Sequence, residues 1–189
     1  MDPIEKWIIF SEKIDKITEK IGTLIYWLTL FMVIISAYNA IARYLGKYIG
    51  IDATSNALIE LQWYTFSVIF LLGAAYGLKH NAHVKVDVIY NLWSDKVKTY
   101  INIIGTIFFL FPFCILMIYV SIPAVINSWK VLEMSPDPGG LPRYPLKTLK
   151  PIAFILLFLQ GISYLIKNIA HLKKGYQIEE EEQITEKTV

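Results

Sequence analysis

The stretch LKHNAHVKVDVIY, from Leu78 to Tyr90, holds the residue types in this chain that most often do chemistry. His80 and His83 are three residues apart and Asp87 follows four residues later, so a helical turn would bring two imidazoles and a carboxylate near one metal ion. The same residues beside lysines are also usual in a solvated connection between two helices. The choice between these interpretations depends on the segments that position them.

Those flanking segments are strongly hydrophobic. Of the 189 residues, 55% are hydrophobic and 18% are charged, with the charges gathered in short blocks, which is typical of integral membrane proteins. Crossing about 30 Å of hydrocarbon takes about 20 apolar residues in a helix. We therefore predict a single all-α integral membrane domain over residues 1–177, with four transmembrane helices at residues 21–42, 61–78, 99–126 and 148–168.

Three further segments complete the predicted organisation. Apolar residues recur at helical spacing over residues 4–20, which predicts an amphipathic helix on the cytoplasmic surface; the alternative is that the first transmembrane helix projects into water. A second short helix, NALIELQWY at residues 56–64, leads into the second span. The segment at residues 135–145 holds four prolines and two glycines and predicts a turn-rich outer loop. The acidic tail at residues 178–189 is predicted to be disordered in the cytoplasm.

The distribution of cations indicates the orientation in the membrane. With four spans, twelve Lys and Arg residues lie on the side of the termini and six lie on the other side. The positive-inside rule therefore predicts that both termini are cytoplasmic. The stretch that carries His80 and His83 is then the cytoplasmic connection between the second and third spans.

Several kinds of chemistry lack the residues that they need. No histidine lies within a predicted span to activate Ser36, Ser67 or Ser121 as a protease nucleophile, or to hold a transmembrane haem between facing helices. Cys114 is the only cysteine, so neither an intramolecular disulfide nor a cysteine metal cluster is expected. The spans also lack Asp, Glu and Lys at depth, where coupled transporters usually carry them. We expect no enzyme activity, no cofactor and no metal, and an accessory or scaffold role.

Short motifs in and around the second span resemble the DctQ type, the small membrane subunit of tripartite ATP-independent periplasmic (TRAP) transporters. The most specific match is LLGAAYGLKHNAHVKVDVIY, from Leu71 to Tyr90, and AIARY from Ala40 to Tyr44 and ELQWY from Glu60 to Tyr64 support it. The resemblance covers residues 21–169. Many members of this family have two acidic residues and an arginine in the short helix that leads into the second span. At the corresponding positions this chain has Ile59, Glu60 and Trp63.

The resemblance implies a complex in the bacterial inner membrane. A large DctM-type subunit would hold the substrate and sodium sites, a periplasmic binding protein would deliver an organic anion, and the small subunit would brace the large one among membrane lipids. No nucleic acid partner is expected. The segment DPGGLP, from Asp137 to Pro142, resembles a subgroup associated with uptake of 2-oxo acids, lactate, mannitol or chloroaromatic acids.

The residues expected to contact the partner subunit or lipid lie at both ends of the spans. They are Arg43, Glu60, Gln62, Trp63 and Tyr64 at the outer end, Asp137, Gly139 and Gly140 in the outer loop, and His83, Lys85 and Asp87 at the inner end. Simpler roles stay open for them, namely an interfacial aromatic belt, a headgroup anchor or a helix cap.

Two other functions stay open at this point. The histidines and the aromatic richness would suit a membrane-anchor redox or quinone-binding subunit, whose haem form predicts a Soret band. A self-contained homo-oligomeric channel or exporter would instead transport without a partner, although no pore-lining charge is evident in the sequence.

Overall fold

The computed structural model describes residues 3–50, 55–82 and 93–174, and nearly all of these residues are helical. The helices are α1 (Pro3–Ile49), α2 (Asn56–Lys79), α3 (Asp95–Gly105), α4 (Phe111–Lys130) and α5 (Tyr144–Lys174), with a π-helical turn at Thr106–Leu110 between α3 and α4. Together α3, the π turn and α4 form one membrane-length segment, so four helical segments are long and apolar enough to span a membrane. This confirms the predicted all-α fold with four transmembrane helices.

Helix α1 is much longer than a membrane span. Its 47 residues extend about 70 Å at 1.5 Å per residue, more than twice the hydrocarbon thickness. The predicted amphipathic helix at residues 4–20 and the predicted span at residues 21–42 form one continuous helix. Such continuity is what a first transmembrane helix that projects beyond the membrane would give. The location of residues 4–20 on a membrane surface stays a prediction.

Helix α5 occupies the centre of the fold. It packs against α1, α2, α3, the π turn and α4, and α1 also packs against α2. The bundle has two ends that are named here by what they hold. The loop end carries the end of α1, the start of α2 and the loop at residues 131–143. The terminal end carries the beginning of α1, the end of α2 and the end of α5.

The third membrane segment is interrupted by the π turn at Thr106–Leu110 and contains two prolines. Pro112 is the second residue after the π turn, where its missing N–H removes a backbone hydrogen bond, and Pro123 lies inside α4. The π turn packs where α5 has Gly161. A Cβ at that position would lie 2.8 Å from a methyl of Leu110 and 2.9 Å from the ring of Phe111. The glycine therefore permits the close approach of α5 to this segment.

The interior of the bundle is small and unusually polar. Gln160, Asn168, Cys114, Ser11, Ser128 and Ser163 are the largest fully buried side chains. Most large apolar side chains are instead turned outward, as expected where lipid or another membrane protein is the neighbour. The helices are consequently joined by polar contacts at the two ends as much as by apolar packing.

Candidate functional site

The most complete polar cluster at the loop end is built around Glu60, in the second turn of α2. Its side chain is 2% exposed. The carboxylate accepts a hydrogen bond from the hydroxyl of Ser135 and one from the backbone N–H of Leu141 at 2.5 Å. Gly140 lies directly against it, because a Cβ there would be 2.5 Å from Cβ of Ser135 and 2.8 Å from Oε2 of Glu60. A buried carboxylate on α2 therefore holds the loop at residues 131–143 through two donors.

Other contacts fasten the same loop to α2 and close it on itself. The Tyr64 hydroxyl donates to the carbonyl of Leu141 at 3.3 Å, and the Asn56 side chain donates to the carbonyl of Pro138 at 3.0 Å. An isolated antiparallel bridge joins Met134 to Pro142. The loop thus has a defined conformation set by hydrogen bonds and by proline and glycine backbone geometry.

An ion pair closes the base of the loop between α4 and α5. Glu133 binds Lys147 and accepts a hydrogen bond of 2.6 Å from the hydroxyl of Ser128, while its carbonyl accepts the N–H of Arg143 at 2.8 Å. The hydrogen bonds from Lys147 and Ser128 hold the pKa of the Glu133 carboxyl below its ordinary value.

Four of the residues predicted at this end take part in the loop cluster. Glu60, Tyr64 and Gly140 meet as described, and the N–H of Asp137 donates to the Ser135 hydroxyl at 3.2 Å. Gly139 lies beside them with a φ of +72°, a conformation that glycine adopts without strain. These contacts give the residues an intramolecular role in holding the loop, in addition to the partner contact that the sequence predicted.

The other three predicted residues of the outer end lie elsewhere. Gln62 faces α1, where its side-chain oxygen is 3.5 Å from the amide nitrogen of Asn39. Trp63 is 40% exposed and contacts the ring of Tyr64 edge-on, with centroids 4.4 Å apart. Arg43 is exposed on the last turns of α1. His83, Lys85 and Asp87, predicted at the inner end, lie outside the described residues, as does the acidic tail.

Sequence reasoning missed a buried ionic network at the terminal end. Asp15 of α1 forms an ion pair with Lys167 of α5 at 2.5 Å. The same carboxylate accepts hydrogen bonds from Ser163 at 2.6 Å and from Gln160 at 2.9 Å. Thr18 donates to Gln160 at 2.6 Å. A buried charge pair of this kind is stable only with such additional hydrogen bonds.

A signal for this network was present in the sequence. Ser11, Asp15 and Thr18 recur at intervals of four and three residues along one face of α1, although the predicted amphipathic helix has its aspartates on the polar face, opposite the apolar residues. Gln160, Ser163 and Lys167 have matching intervals of three and four residues on α5. Two complementary polar stripes at helical spacing favour pairing of their helices.

A second ionic cluster at the terminal end involves His80, a residue from the opening motif. Glu19 binds Lys79, and its Oε2 is 3.2 Å from Nε2 of His80. Beside them, the hydroxyls of Tyr26 and Tyr76 are 3.1 Å apart. Within residues 3–50, 55–82 and 93–174, no three His, Cys, Asp or Glu residues are grouped as a metal site. His80 thus participates in joining α2 to α1.

These features define a class of protein, a four-span helical membrane protein whose described ionic clusters lie towards the ends of its helices. The family model DctQ, "Tripartite ATP-independent periplasmic transporters, DctQ component", matches residues 14–171, well over half of the chain. The chain belongs to the DctQ family and is a small subunit of a TRAP transporter. No curated protein and no solved structure gave a match. The match identifies the family and does not assign the chain to the substrate subgroup that residues 137–142 resemble.

Proposed function

We propose that this chain is the non-catalytic small permease subunit that braces the large DctM-type subunit of a sodium-driven, binding-protein-dependent importer of organic acids. In this proposal it lies in the bacterial inner membrane with both termini in the cytoplasm. The loop end then faces the periplasm, where a soluble binding protein delivers the substrate to the complex.

The observation that carries the proposal is the large apolar surface that the fold leaves uncovered. In the most apolar part of each spanning segment, only 6% of the residues in α1 and 28% in α5 are buried. Residues 21–42, 61–78 and 99–126 contain no Asp, Glu, Lys or Arg that would bind a coupling ion at depth. A chain with wide apolar faces and no charge at depth suits a supporting role beside a subunit that carries the transport sites.

Helix α1 is the helix best suited to contact that partner, because it is the least covered of the four spanning segments. Its exposed residues include a row spaced alternately by three and four positions, the spacing with which one helix packs along another. We call this row the α1 stripe; it consists of Leu24, Trp27, Phe31, Ile34, Tyr38, Ile41, Leu45 and Tyr48, which are between 44% and 85% exposed. We propose that the α1 stripe contacts the large subunit.

The polar clusters support this role by keeping α1 in place. The Asp15 network ties α1 to α5, and Glu19 ties it to α2. A partner that packs on the α1 stripe would therefore meet a surface that is already oriented, which reduces the entropy lost on association.

The test is a tagged purification from native-host membranes in mild detergent, with the co-eluting proteins identified and quantified. Recovery of a much larger polytopic protein at near-equal stoichiometry, together with loss of organic-acid uptake when this chain is deleted, is the expected result. Elution of the chain alone, or uptake that survives its deletion, would refute the supporting role. Transport by the isolated chain in liposomes would indicate a self-contained channel or exporter instead.

The assignment of the α1 stripe is tested with a matched pair of double variants. Phe31→Ala with Tyr38→Ala removes two rings from the stripe, whereas Phe109→Ala with Tyr119→Ala removes two rings from the third membrane segment that are even more exposed. The first variant should lose most of the co-purified large subunit and the second should retain it. The reverse pattern would place the partner on the third segment.

A further inference from the structure

A groove of about 470 Å³ runs between α2 and the beginning of α5 on the side of the bundle. Residues of α2, from Trp63 to Leu71, form one wall, and Leu146, Lys147 and Lys150 of α5, together with Arg143, form the other. Residues 63 to 71 cover about 12 Å of helix at 1.5 Å per residue. The groove therefore begins at the loop end and continues towards the middle of the membrane.

The groove has a cationic part and an apolar part. Arg143, Lys147 and Lys150 are its charged lining residues, and among the residues that the structure describes no carboxylate lines it. Lys147 is already paired with Glu133, whereas Lys150 has no ion-pair partner among the described residues. The Nε of Arg143 is buried and lacks a hydrogen-bond partner within residues 3–50, 55–82 and 93–174. The Arg143 guanidinium also interacts electrostatically with Glu60 and Glu133, so Lys150 is the lining cation that the described residues leave without a counter-charge.

The apolar part consists chiefly of aromatic rings. Phe66 and Phe70 lie one turn apart on α2 with their rings stacked at 6.2 Å, and both are more than half exposed. Trp63 precedes them on α2 and is closer to the loop end and to the cationic part. Indole rings favour the membrane interface, which suits this position. The rings of Phe66 and Phe70 would pack well along an acyl chain.

We propose that this groove is a binding site for an anionic phospholipid. The phosphate would lie among Arg143, Lys147 and Lys150, and one acyl chain would follow Phe66 and Phe70 along α2. Charge complementarity favours this occupant, because basic pockets between transmembrane helices attract anionic headgroups, and the cationic and apolar parts follow each other in the order of headgroup and chain. The site would secure the α2–α5 contact and the outer loop that Glu133 and Lys147 close.

The site is tested with the full chain, purified and delipidated in a neutral detergent. Native mass spectrometry would measure binding of phosphatidylglycerol and of phosphatidylcholine with identical acyl chains. Phosphatidylglycerol should bind at least fivefold more tightly, and Arg143→Gln or Lys150→Gln should each reduce its affinity about fivefold, the contribution of one cation near a membrane surface. Lys150→Gln is the safer variant, because this exposed side chain has no ion pair to lose within the described part of the chain.

Two matched controls separate the site from general attraction to the protein. Lys130→Gln removes an exposed cation at the same end of the bundle but outside the groove, and it should leave the affinity unchanged. Phe70→Ala should weaken binding, whereas Phe109→Ala, which removes an equally exposed ring elsewhere, should not. Equal affinities for the two lipids, or equal losses in Lys130→Gln and Lys150→Gln, would overturn the proposal.

A competition experiment distinguishes a lipid headgroup from free phosphate. Inorganic phosphate at millimolar concentration should not displace phosphatidylglycerol, since it lacks the acyl chain that Phe66 and Phe70 contact. Displacement by inorganic phosphate, with no effect of Phe70→Ala, would show that the groove binds a soluble anion and not a lipid.

Discussion

Asp15 and Lys167 join the first helix of the chain to the last, with 2.5 Å between Oδ2 and Nζ. The pair is accompanied by Ser163 and Gln160, whose side chains donate to the other carboxylate oxygen. Because lipid offers no hydrophobic force to drive apolar helices together, polar contacts of this kind contribute directly to helix association. The network therefore helps to define which faces of α1 and α5 meet. The face of α1 that points away from α5 is then the one left for a partner.

Replacing Asp15 by Asn should destabilise the bundle by about 1.5–3 kcal/mol, the range for a hydrogen-bonded charged group. The substitution leaves the Lys167 ammonium without its counter-charge. Thermal unfolding of the purified chain in detergent would measure the effect. Glu12→Gln, a change of the same charge on an exposed position of the same helix, should have almost none.

The double variant Asp15→Leu with Lys167→Met gives a sharper test of the ion pair. Removing both charges eliminates the unpaired group that each single change leaves behind, so the double variant should be more stable than the sum of the single losses predicts. Strict additivity of the two losses would contradict a direct interaction between Asp15 and Lys167.

The sequence predicted the all-α fold and the four spans because the length of apolar runs depends only on the thickness of the membrane. It also identified Glu60 and Gly140 as notable, but as candidates for partner contact. Their close approach depends on tertiary packing across 80 positions of the chain, which no local pattern encodes. The burial of Asp15 could not be predicted, because the sequence alone does not distinguish a buried charged residue near the end of a span from a solvated one.

The pH dependence of stability should carry a contribution from Glu133. Hydrogen bonds from Lys147 and Ser128 lower the pKa of this carboxyl from its ordinary value of 4.5, so the folded state favours the charged form. Its stabilisation is therefore fully present above about pH 4.5 and is lost as the pH falls through the lowered folded value. Midpoints of thermal unfolding for the native chain and for Glu133→Gln should differ at pH 7 and converge at lower pH. A constant difference across this range would refute the assignment.

Gly140→Ala should displace the loop at residues 131–143 from α2. A Cβ at this position would approach Cβ of Ser135 to 2.5 Å and Glu60 to 2.8 Å, so the hydrogen bond from Leu141 to Glu60 cannot keep its geometry. Hydrogen exchange should become faster at the Leu141 amide. The exchange rates of the amides in α4 should stay unchanged. Gly73→Ala, where nothing lies within 4 Å of the new Cβ, serves as the control, and equal exchange in both variants would show that the loop does not depend on Gly140.

Gly161→Ala should loosen the contact between α5 and the third membrane segment. The new Cβ would lie 2.8 Å from Leu110 and 2.9 Å from Phe111, and overpacking of this kind typically costs about 1–3 kcal/mol. Gly105→Ala adds a methyl just before the π turn with nothing within 4 Å and should be tolerated. Combining Gly161→Ala with Leu110→Ala returns part of the space, so thermal unfolding of the double variant should recover part of the loss. If Gly105→Ala were equally destabilising, the effect would come from helix geometry and not from the approach of α5 to Leu110 and Phe111.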